Sequence, residues 1–265
     1  MICLEVRLVR CSTASAPSRL PGLDRAVNPY RGCAHSCAYC YAQDVTRFAI
    51  GDAWGSIVEV KVNIVQMLKK ELERGKDGVY GVGTVTDPYQ PIEAKHGLTR
   101  GCLSMLKRYG AQASVLTKSS LVTRDIDLFT GWSGIEVGIS IACVDERVSR
   151  AVEPDAPPPK ARFEALSAMV DADVDVYLMA APIIPGISDS RHLLESLIES
   201  AADAGVRRVM WDSWNPKPIA ASRLRDCLED HGLVLDGIEA KVGPQTQATL
   251  RESCKERDIQ LISAF

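Results

Sequence analysis

The sequence predicts an α/β protein, built as a partial (β/α)6 TIM-like barrel with parallel strands and a C-terminal helical extension. Short apolar segments alternate with segments of helical periodicity along most of the 265 residues. Repeated strand–helix units of this kind imply parallel strands with right-handed crossovers. Six units suit an incomplete barrel better than a closed eight-fold one. A dinucleotide-binding sheet is not favoured, because no Gly-x-Gly-x-x-Gly motif joins the first strand to a helix.

Each predicted element has a local signal. Runs of small and β-branched apolar residues predict six strands, at 26–28, 79–86, 113–117, 135–141, 174–181 and 207–211. Apolar residues three or four positions apart predict the intervening helices. These apolar stripes begin at Ile64, Leu98, Phe163 and Leu193, and a short helix is expected from Asp125 to Phe129. Asn63 is a candidate N-cap for the helix that follows it.

The expected organisation is one structural domain. An N-terminal extension covers 1–25, the barrel covers 26–218, and a C-terminal extension over 219–265 packs on the barrel. The Pro-rich stretch 153–159 is predicted to be a rigid loop between helices rather than a linker.

Composition favours a cytoplasmic protein. The first ten residues carry charges inside their apolar run, unlike a secretory signal, and no eighteen uncharged apolar residues run together, so no membrane span is expected. Nine cysteines, an odd number, fit a reducing compartment.

The charge distribution is uneven. A net charge of −3 argues against general affinity for nucleic acid. A basic segment over 95–124 nevertheless carries six Lys or Arg residues and no acid. It is either a patch for a polyanionic substrate or a solvated helix face.

The most informative motif is the C-x3-C-x2-C spacing of Cys33, Cys37 and Cys40. A 4Fe–4S cubane usually takes four thiolates. Three ligands leave one iron open, and the amino and carboxylate groups of S-adenosylmethionine can chelate it. One electron from the cluster can then release a 5′-deoxyadenosyl radical, and such a cluster should be oxygen-sensitive. Zinc completed by His35 is the alternative, although no second ligand pair follows.

Several further motifs, in order, resemble those of the radical S-adenosylmethionine enzymes, in the spore photoproduct lyase-like branch. They are Asn-Pro-Tyr-Arg-Gly-Cys (28–33), Cys-Ala-Tyr-Cys-Tyr-Ala (37–42), Gly-Thr-Val-Thr-Asp-Pro-Tyr-Gln-Pro-Ile-Glu (83–93), Leu-Thr-Lys-Ser (116–119), Thr-Arg-Asp-Ile-Asp (123–127), Glu-Pro-Asp-Ala-Pro (153–157) and Ala-Pro-Ile-Ile-Pro-Gly (181–186). The resemblance implies S-adenosylmethionine cleavage at a 4Fe–4S cluster, with a flavodoxin- or ferredoxin-type electron donor.

Candidate cofactor contacts lie at predicted strand ends, where barrel enzymes place their chemistry. The resemblance implies that Thr86 contacts the methionine part of the cofactor, that Lys118 pairs with its carboxylate, and that the Tyr39 backbone meets the adenine. Three more residues near strand ends are candidate contacts. Asp87 could bind the α-amino group, Ser140 the ribose or the carboxylate, and Pro182 the adenine. Each has an ordinary structural alternative as a turn, a packed hydroxyl or a buried loop residue.

One departure from the resemblance concerns the substrate. The lyases end their second strand in Cys-x-Ser-Asp, and that cysteine returns a hydrogen atom to the repaired thymine. This chain has Thr84 there, and a threonine O–H bond is too strong for that donation. Cys143 is the candidate replacement, although strict alternation from Ser140 puts it on the opposite face. The loop 211–218, with two indoles, either stacks a ring of the substrate or acts as a lid.

Three functions therefore stay open. The first is a radical S-adenosylmethionine enzyme acting on an unidentified substrate, a macromolecule or a nucleotide-like small molecule. The second is spore photoproduct repair. The third is a non-catalytic iron–sulfur or electron-transfer module.

Overall fold

The computed structural model describes residues 4–50, 53–233 and 242–264. Its strands are β1 Glu5–Val9, β2 Ser15–Pro17, β3 Arg25–Val27, β4 Tyr30–Arg31, β5 Ile57–Lys61, β6 Val79–Val82, β7 Gln112–Thr117, β8 Ile135–Ser140, β9 Val176–Ile183, β10 Arg208–Ser213 and β11 Gln260–Ser263. Its helices are α1 Ala42–Thr46, α2 Ile64–Glu73, α3 Glu93–His96, α4 Leu98–Arg108, α5 Ile126–Phe129, α6 Glu146–Val152, α7 Pro159–Asp171, α8 Arg191–Asp203, α9 Pro218–Asp230 and α10 Pro244–Glu256, with a 3-10 helix at Ser120–Asp125.

The large sheet confirms the predicted fold class. Its strand order is β11-β10-β9-β8-β7-β6-β3-β2. The six predicted strands, β3 and β6 to β10, pair in parallel with their neighbours. Two strands extend this set: β2 pairs antiparallel with β3, and β11 pairs in parallel with β10. The C-terminal extension thus holds a strand besides helices α9 and α10. The predicted domain boundaries stay a prediction.

A second sheet of three strands, in the order β1-β5-β4, was not predicted. Strand β5 alternates partly exposed positions with the buried Val58 and Val60, a half-buried strand pattern that the sequence does contain. Its partner β4 immediately precedes the cysteine loop. This sheet therefore supports the entry to the candidate site.

Strand register divides the large sheet into two faces, because partner residues on parallel strands point the same way. Ile139, Leu178 and Val209 are partners on neighbouring strands, and all three are fully buried in the main core. The opposite face carries Met179 and Met210, which are also partners and are only partly buried. This second face lines the interior of the partial barrel.

The sequence predicts no membrane-spanning segment, and the described helices can be compared with this prediction. Within the described ranges, none of the helices combines the length and the apolar character that crossing a bilayer requires.

Candidate active site

The cysteine loop begins where β4 ends, and Gly32 shapes its entry. Gly32 has a φ of +83°, a conformation that residues with a Cβ rarely adopt. A Cβ here would lie 2.3 Å from the Ile57 carbonyl oxygen of β5. Only glycine therefore lets the chain pass this close to the small sheet. Beyond it, Cys33 and Cys37 are buried residues and Cys40 is a partly exposed one.

Thr86 and Gln90, after β6, hold the same entry from the other side. The Thr86 hydroxyl donates to the Gly32 carbonyl at 2.6 Å and accepts from the Gln90 amide at 2.8 Å. The Gln90 side-chain oxygen accepts the Ala34 backbone N–H at 2.8 Å. Thr86 thus lies at the base of the cysteine loop, and its hydroxyl is engaged in hydrogen bonds with Gly32 and Gln90. Its contact to the methionine part of the cofactor stays a prediction.

Asp87 is a buried carboxylate that links the cysteine loop to the end of β7. It accepts the Thr117 hydroxyl at 2.6 Å and the Lys118 backbone N–H at 2.8 Å. The Nδ1 atom of His35 lies 3.2 Å from its Oδ2 atom. Burial would raise the pKa of Asp87, but the His35 imidazole and these donors lower it to about 2. Asp87 is therefore a charged brace between two loops, and its contact to the cofactor stays a prediction.

Ser36, in the middle of the cysteine loop, has the left-handed φ of 55°. Such a backbone costs a non-glycine residue about 1–3 kcal/mol and persists only where its surroundings hold it. Its hydroxyl donates to the Trp54 carbonyl at 3.1 Å and accepts from the Arg223 guanidinium at 2.8 Å. Arg223 belongs to α9, outside the part of the chain where sequence reasoning placed the site.

Lys118 directly follows β7 and Ser140 ends β8, and both lie on the inner face. The Lys118 ammonium donates to the Ser140 hydroxyl at 3.0 Å and lies 5.5 Å from the centre of the Tyr39 ring. The Ser140 hydroxyl in turn donates to the Ala181 carbonyl at 3.2 Å. The structure therefore brings together three of the predicted cofactor contacts. Ala181 precedes Pro182 through a cis peptide bond, so Pro182 adjoins the same group.

Sequence reasoning missed the buried ion pair of Glu153 and Arg162 behind these residues. Glu153 accepts from the Tyr39 hydroxyl and forms an ion pair with the Arg162 guanidinium, and its carboxylate lies 3.8 Å from the Lys118 ammonium. Arg162 also donates to the Ser140 carbonyl at 3.0 Å. Burial would raise the pKa of Glu153, but the Arg162 and Lys118 charges lower it. Glu153 is part of the quoted motif at 153–157, but the sequence alone gave no role for its carboxylate.

Cys143 and Trp214 pack in the same apolar cluster as Cys37 and Tyr39. The bend after β8 thus brings Cys143 towards the cysteine loop, where simple strand alternation did not place it. Burial raises the pKa of the Cys143 thiol to about 11. Its role as a hydrogen donor stays a prediction. The two indoles of the 211–218 segment are both buried, Trp211 in the main core and Trp214 here.

The donor set fits a thiolate-bound cluster. The three loop thiols are free, and burial raises the pKa of Cys33 to about 12. Lys118 lies close enough to Cys37 and Cys40 for its charge to lower both pKa values, against the larger effect of burial. A cation beside buried thiolates compensates the charge they would carry on binding iron.

The arrangement differs from a zinc site. Zinc needs its ligands to converge on one ion, with sulfur at about 2.3 Å. In the described part of the chain, no group of three His, Cys, Asp or Glu side chains is placed to hold one metal ion. In a cubane each thiolate binds a different iron, so the sulfurs surround the cluster rather than one point.

This chain combines a partial parallel barrel with three loop cysteines at the carboxyl end of its strands. That combination is typical of iron–sulfur enzymes with a barrel fold. Residues 27–210 match the model of the Radical SAM superfamily. The chain belongs to this superfamily of enzymes, which use a 4Fe–4S cluster and S-adenosylmethionine.

The chain is also similar to proteins of other organisms. An uncharacterized protein of Methanocaldococcus jannaschii is 34% identical over 191 residues, 72% of this chain and 72% of its own length. An uncharacterized protein of Mycobacterium tuberculosis is 35% identical over 191 residues, 69% of this chain, and the match spans 56% of its length. The chain thus covers little more than half of that relative.

The fold is similar to that of spore photoproduct lyase. The structure of that lyase with dinucleoside spore photoproduct has a TM-score of 0.71 and 16% identity, covering 98% of this chain and 82% of the lyase. A lyase mutant with bound S-adenosylmethionine and the same dinucleoside has a TM-score of 0.71 and 17% identity, covering 99% and 82%. At these identities the likeness concerns the fold.

Proposed function

We propose that Cys33, Cys37 and Cys40 hold the 4Fe–4S cluster and leave one iron for the amino and carboxylate groups of S-adenosylmethionine. The observation that carries this proposal is the position of the cysteine loop, which begins where β4 ends. Tyr39 of this loop has its ring 5.5 Å from the ammonium of Lys118, the residue that follows β7. When bound, the cluster supplies the electron that cleaves S-adenosylmethionine to a 5′-deoxyadenosyl radical.

The surrounding side chains orient the cofactor. Lys118 faces the barrel interior with an ammonium group suited to a carboxylate, and Ser140 beside it offers a hydroxyl to the carboxylate or ribose. Pro182 supplies an apolar wall for the adenine. Thr86 and Asp87 keep the cysteine loop and the end of β7 in fixed positions, so that these contacts are preorganised.

We propose that the substrate is not the thymine photoproduct but another molecule, a macromolecule or a nucleotide-like compound. Thr84 stands where the lyases have their hydrogen-donating cysteine, and its hydroxyl accepts from the Asn28 amide at 3.1 Å.

Part of the charge of the basic segment is already paired within the protein and so is not free for a phosphate backbone. Arg100 contacts Asp125 at 2.9 Å and Asp127 at 2.7 Å, and Arg124 contacts Glu93 at 2.8 Å. These pairs neutralise the arginines locally. Nucleic acid is therefore not the favoured partner.

Spore photoproduct repair is the runner-up. The solved structures in complex with that lesion share this fold, and Cys143 lies in the same apolar cluster as Cys37 and Tyr39. A purely electron-transferring module is less favoured, because the superfamily consists of enzymes. A flavodoxin- or ferredoxin-type donor, oxygen sensitivity and a cytoplasmic location stay predictions.

The cluster assignment is tested by anaerobic reconstitution. The wild type should bind about four irons per chain and, with dithionite, form 5′-deoxyadenosine. Single alanine variants of Cys33, Cys37 and Cys40 should lose both properties, while Cys11→Ala, a partly buried cysteine outside the loop, should keep them. Cofactor cleavage by the triple alanine variant would refute the assignment.

The substrate is tested with two samples: a dinucleotide spore photoproduct, and extract of cells lacking the protein. Transfer of deuterium into 5′-deoxyadenosine identifies the abstracted hydrogen. We expect turnover with the extract and none with the photoproduct. Catalytic conversion of the photoproduct to thymidylyl-thymidine would overturn this preference, and its loss in Cys143→Ala would identify the hydrogen donor.

A further inference from the structure

Strand β1 is exposed on both of its faces. Among the described strands it forms one edge of the small sheet, whose order is β1-β5-β4. Its first four residues, from Glu5 to Leu8, are all exposed, and Leu8 is 64% exposed, the largest fraction among the exposed large apolar side chains. An uncovered edge strand of this kind is a template for pairing with a strand of another chain.

The hydrogen bonds to β5 determine which backbone groups of β1 are free. The Glu5 N–H donates to the Ser56 carbonyl at 2.7 Å, and the Val9 carbonyl accepts the Val62 N–H at 3.0 Å. The odd-numbered residues of β1 therefore point their backbone groups towards β5. Because these groups alternate in direction along a strand, the even-numbered residues, Val6 among them, point their N–H and C=O groups to the free edge.

One face of β1 continues the apolar face of the small sheet. Val6 is the register partner of Val58, and Leu8 is the register partner of Val60. The two β5 side chains are fully buried, whereas Val6 is 39% exposed. The buried apolar layer therefore runs out to the sheet edge and ends there in two uncovered side chains.

The other face of β1 carries one acid and one base, two positions apart. The Arg7 guanidinium lies 2.7 Å from the Glu5 carboxylate, and both side chains are exposed. In an antiparallel pair of identical strands, a two-fold axis through the residue between them brings the acid of each copy opposite the base of the other. The charged face of β1 is therefore complementary to itself.

We propose that β1 docks β1 of a second copy of this chain, antiparallel and about a two-fold axis at Val6. In this register Val6 faces Val6 of the other copy, and Leu8 faces Leu4 on the apolar face. Glu5 of each copy faces Arg7 of the other. The even-numbered residues form the hydrogen-bonded pairs, as the direction of their backbone groups requires, and the charged residues form the closer non-hydrogen-bonded pairs.

The neighbouring registers are less favourable. An axis at Arg7 would place the two Arg7 side chains opposite each other, and an axis at Glu5 would do the same with the two acids. Like charges directly opposite each other destabilise a strand pair, whereas opposite charges stabilise it. An axis at Leu8 would leave Arg7 opposite the apolar Val9. The register about Val6 is the one that pairs both charges.

The proposed contact is closed and small. Each copy uses the same edge, so pairing covers both free edges and association stops at a dimer. A single strand pair lies at the low end of interface sizes, where association is weak and transient. We therefore expect a dimer that forms as the protein concentration rises. The contact uses none of the residues of the candidate active site, so it stands apart from the proposed function.

Sedimentation velocity of the full chain, reconstituted anaerobically, tests the contact from about 1 to 300 μM, because contacts of this size associate weakly. The wild type should pass from monomer towards dimer over this range. Arg7→Glu and Glu5→Arg place like charges opposite each other and should each raise the dissociation constant about tenfold or more. Val6→Pro removes the N–H at the axis, which points to the free edge, and should abolish the dimer.

Mixing the two charge variants tests the register itself. In an equimolar mixture of Arg7→Glu and Glu5→Arg, each acid faces a base again, so a heterodimer should form at least as tightly as the wild-type dimer. Arg108→Glu and Glu164→Arg are the matched controls, since they make the same charge changes at exposed positions away from β1. Each control should dimerise as the wild type does, and mixing them should change nothing. Iron content and far-UV circular dichroism at wild-type values show that the variants are folded.

Three outcomes would overturn the proposal. The first is a wild type that stays monomeric over the whole range, which would leave the β1 edge to a different chain. The second is a dimer that both charge variants and Val6→Pro keep unchanged, which would place the interface elsewhere. The third is a dimer that both charge variants weaken and their mixture does not restore, which would refute the register about Val6.

Discussion

Replacing Glu153 by glutamine removes the negative member of a buried ion pair. The side chains of Glu153 and Arg162 are 1% and 0% exposed. The variant leaves the Arg162 guanidinium charged with no anion beside it. Removing one partner of such a pair typically costs about 3–5 kcal/mol. At about 2 °C per kcal/mol for a chain of this size, the melting temperature should fall by about 6–10 °C.

Differential scanning calorimetry of the purified protein measures this fall. Glu164→Gln is the matched control, because Glu164 is exposed on the same helix as Arg162 and should change the melting temperature by less than about 1 °C. The double variant Glu153→Gln/Arg162→Gln should regain part of the loss, since the guanidinium is then gone as well. A fall in Glu153→Gln no larger than in the control would refute the role assigned to the pair.

Two further predictions concern the loop entry and the acid limb of stability. Gly32→Ala should lower the free energy of unfolding, measured by urea denaturation, more than Gly110→Ala does. Both glycines have a positive φ, but of the two added Cβ atoms only the one at Gly32 meets a described atom, at 2.3 Å. Equal losses in the two variants would contradict the close approach at Gly32. Burial alone would raise the pKa of Glu71. The Ser15 hydroxyl and the Ala14 backbone N–H both donate to its carboxylate and, with Lys76, lower that pKa below 4.5. The stabilising effect of the Glu71 carboxylate is therefore present at neutral pH and is lost as the pH falls through the folded-state pKa. In Glu71→Gln the melting temperature should rise less steeply with pH around and below pH 4.5. A slope as steep as that of the wild type would contradict this prediction.

Local patterns were sufficient to predict the barrel and part of the site. Six strands follow from short apolar runs, and Lys118 and Ser140 could be placed together because parallel strands end at the same edge of a sheet. The cysteine loop was equally legible, since its spacing and its glycine lie within eleven residues of one another.

Contacts between distant segments could not be predicted in the same way. Asn63 has the sequence signature of an N-cap, yet its amide bonds the backbone of Cys11 in both directions at 2.8 Å. Arg162 lies on the apolar stripe of α7, and only the folded structure shows that it forms an ion pair with Glu153. The β1–β5 pairing is likewise non-local. Each depends on a partner that no periodicity within one segment reveals.

The hydrogen bonds that join α9 to the cysteine loop and to α1 have a consequence for the order of events during synthesis. Asp44 meets α9 across 175 positions of the chain, and Ser36 meets Arg223 across 187. During synthesis the cysteines leave the ribosome long before the helix that completes their loop. Iron loading should then follow the emergence of α9. Nascent chains that stop before α9 should present loose thiols to any available metal or oxidant.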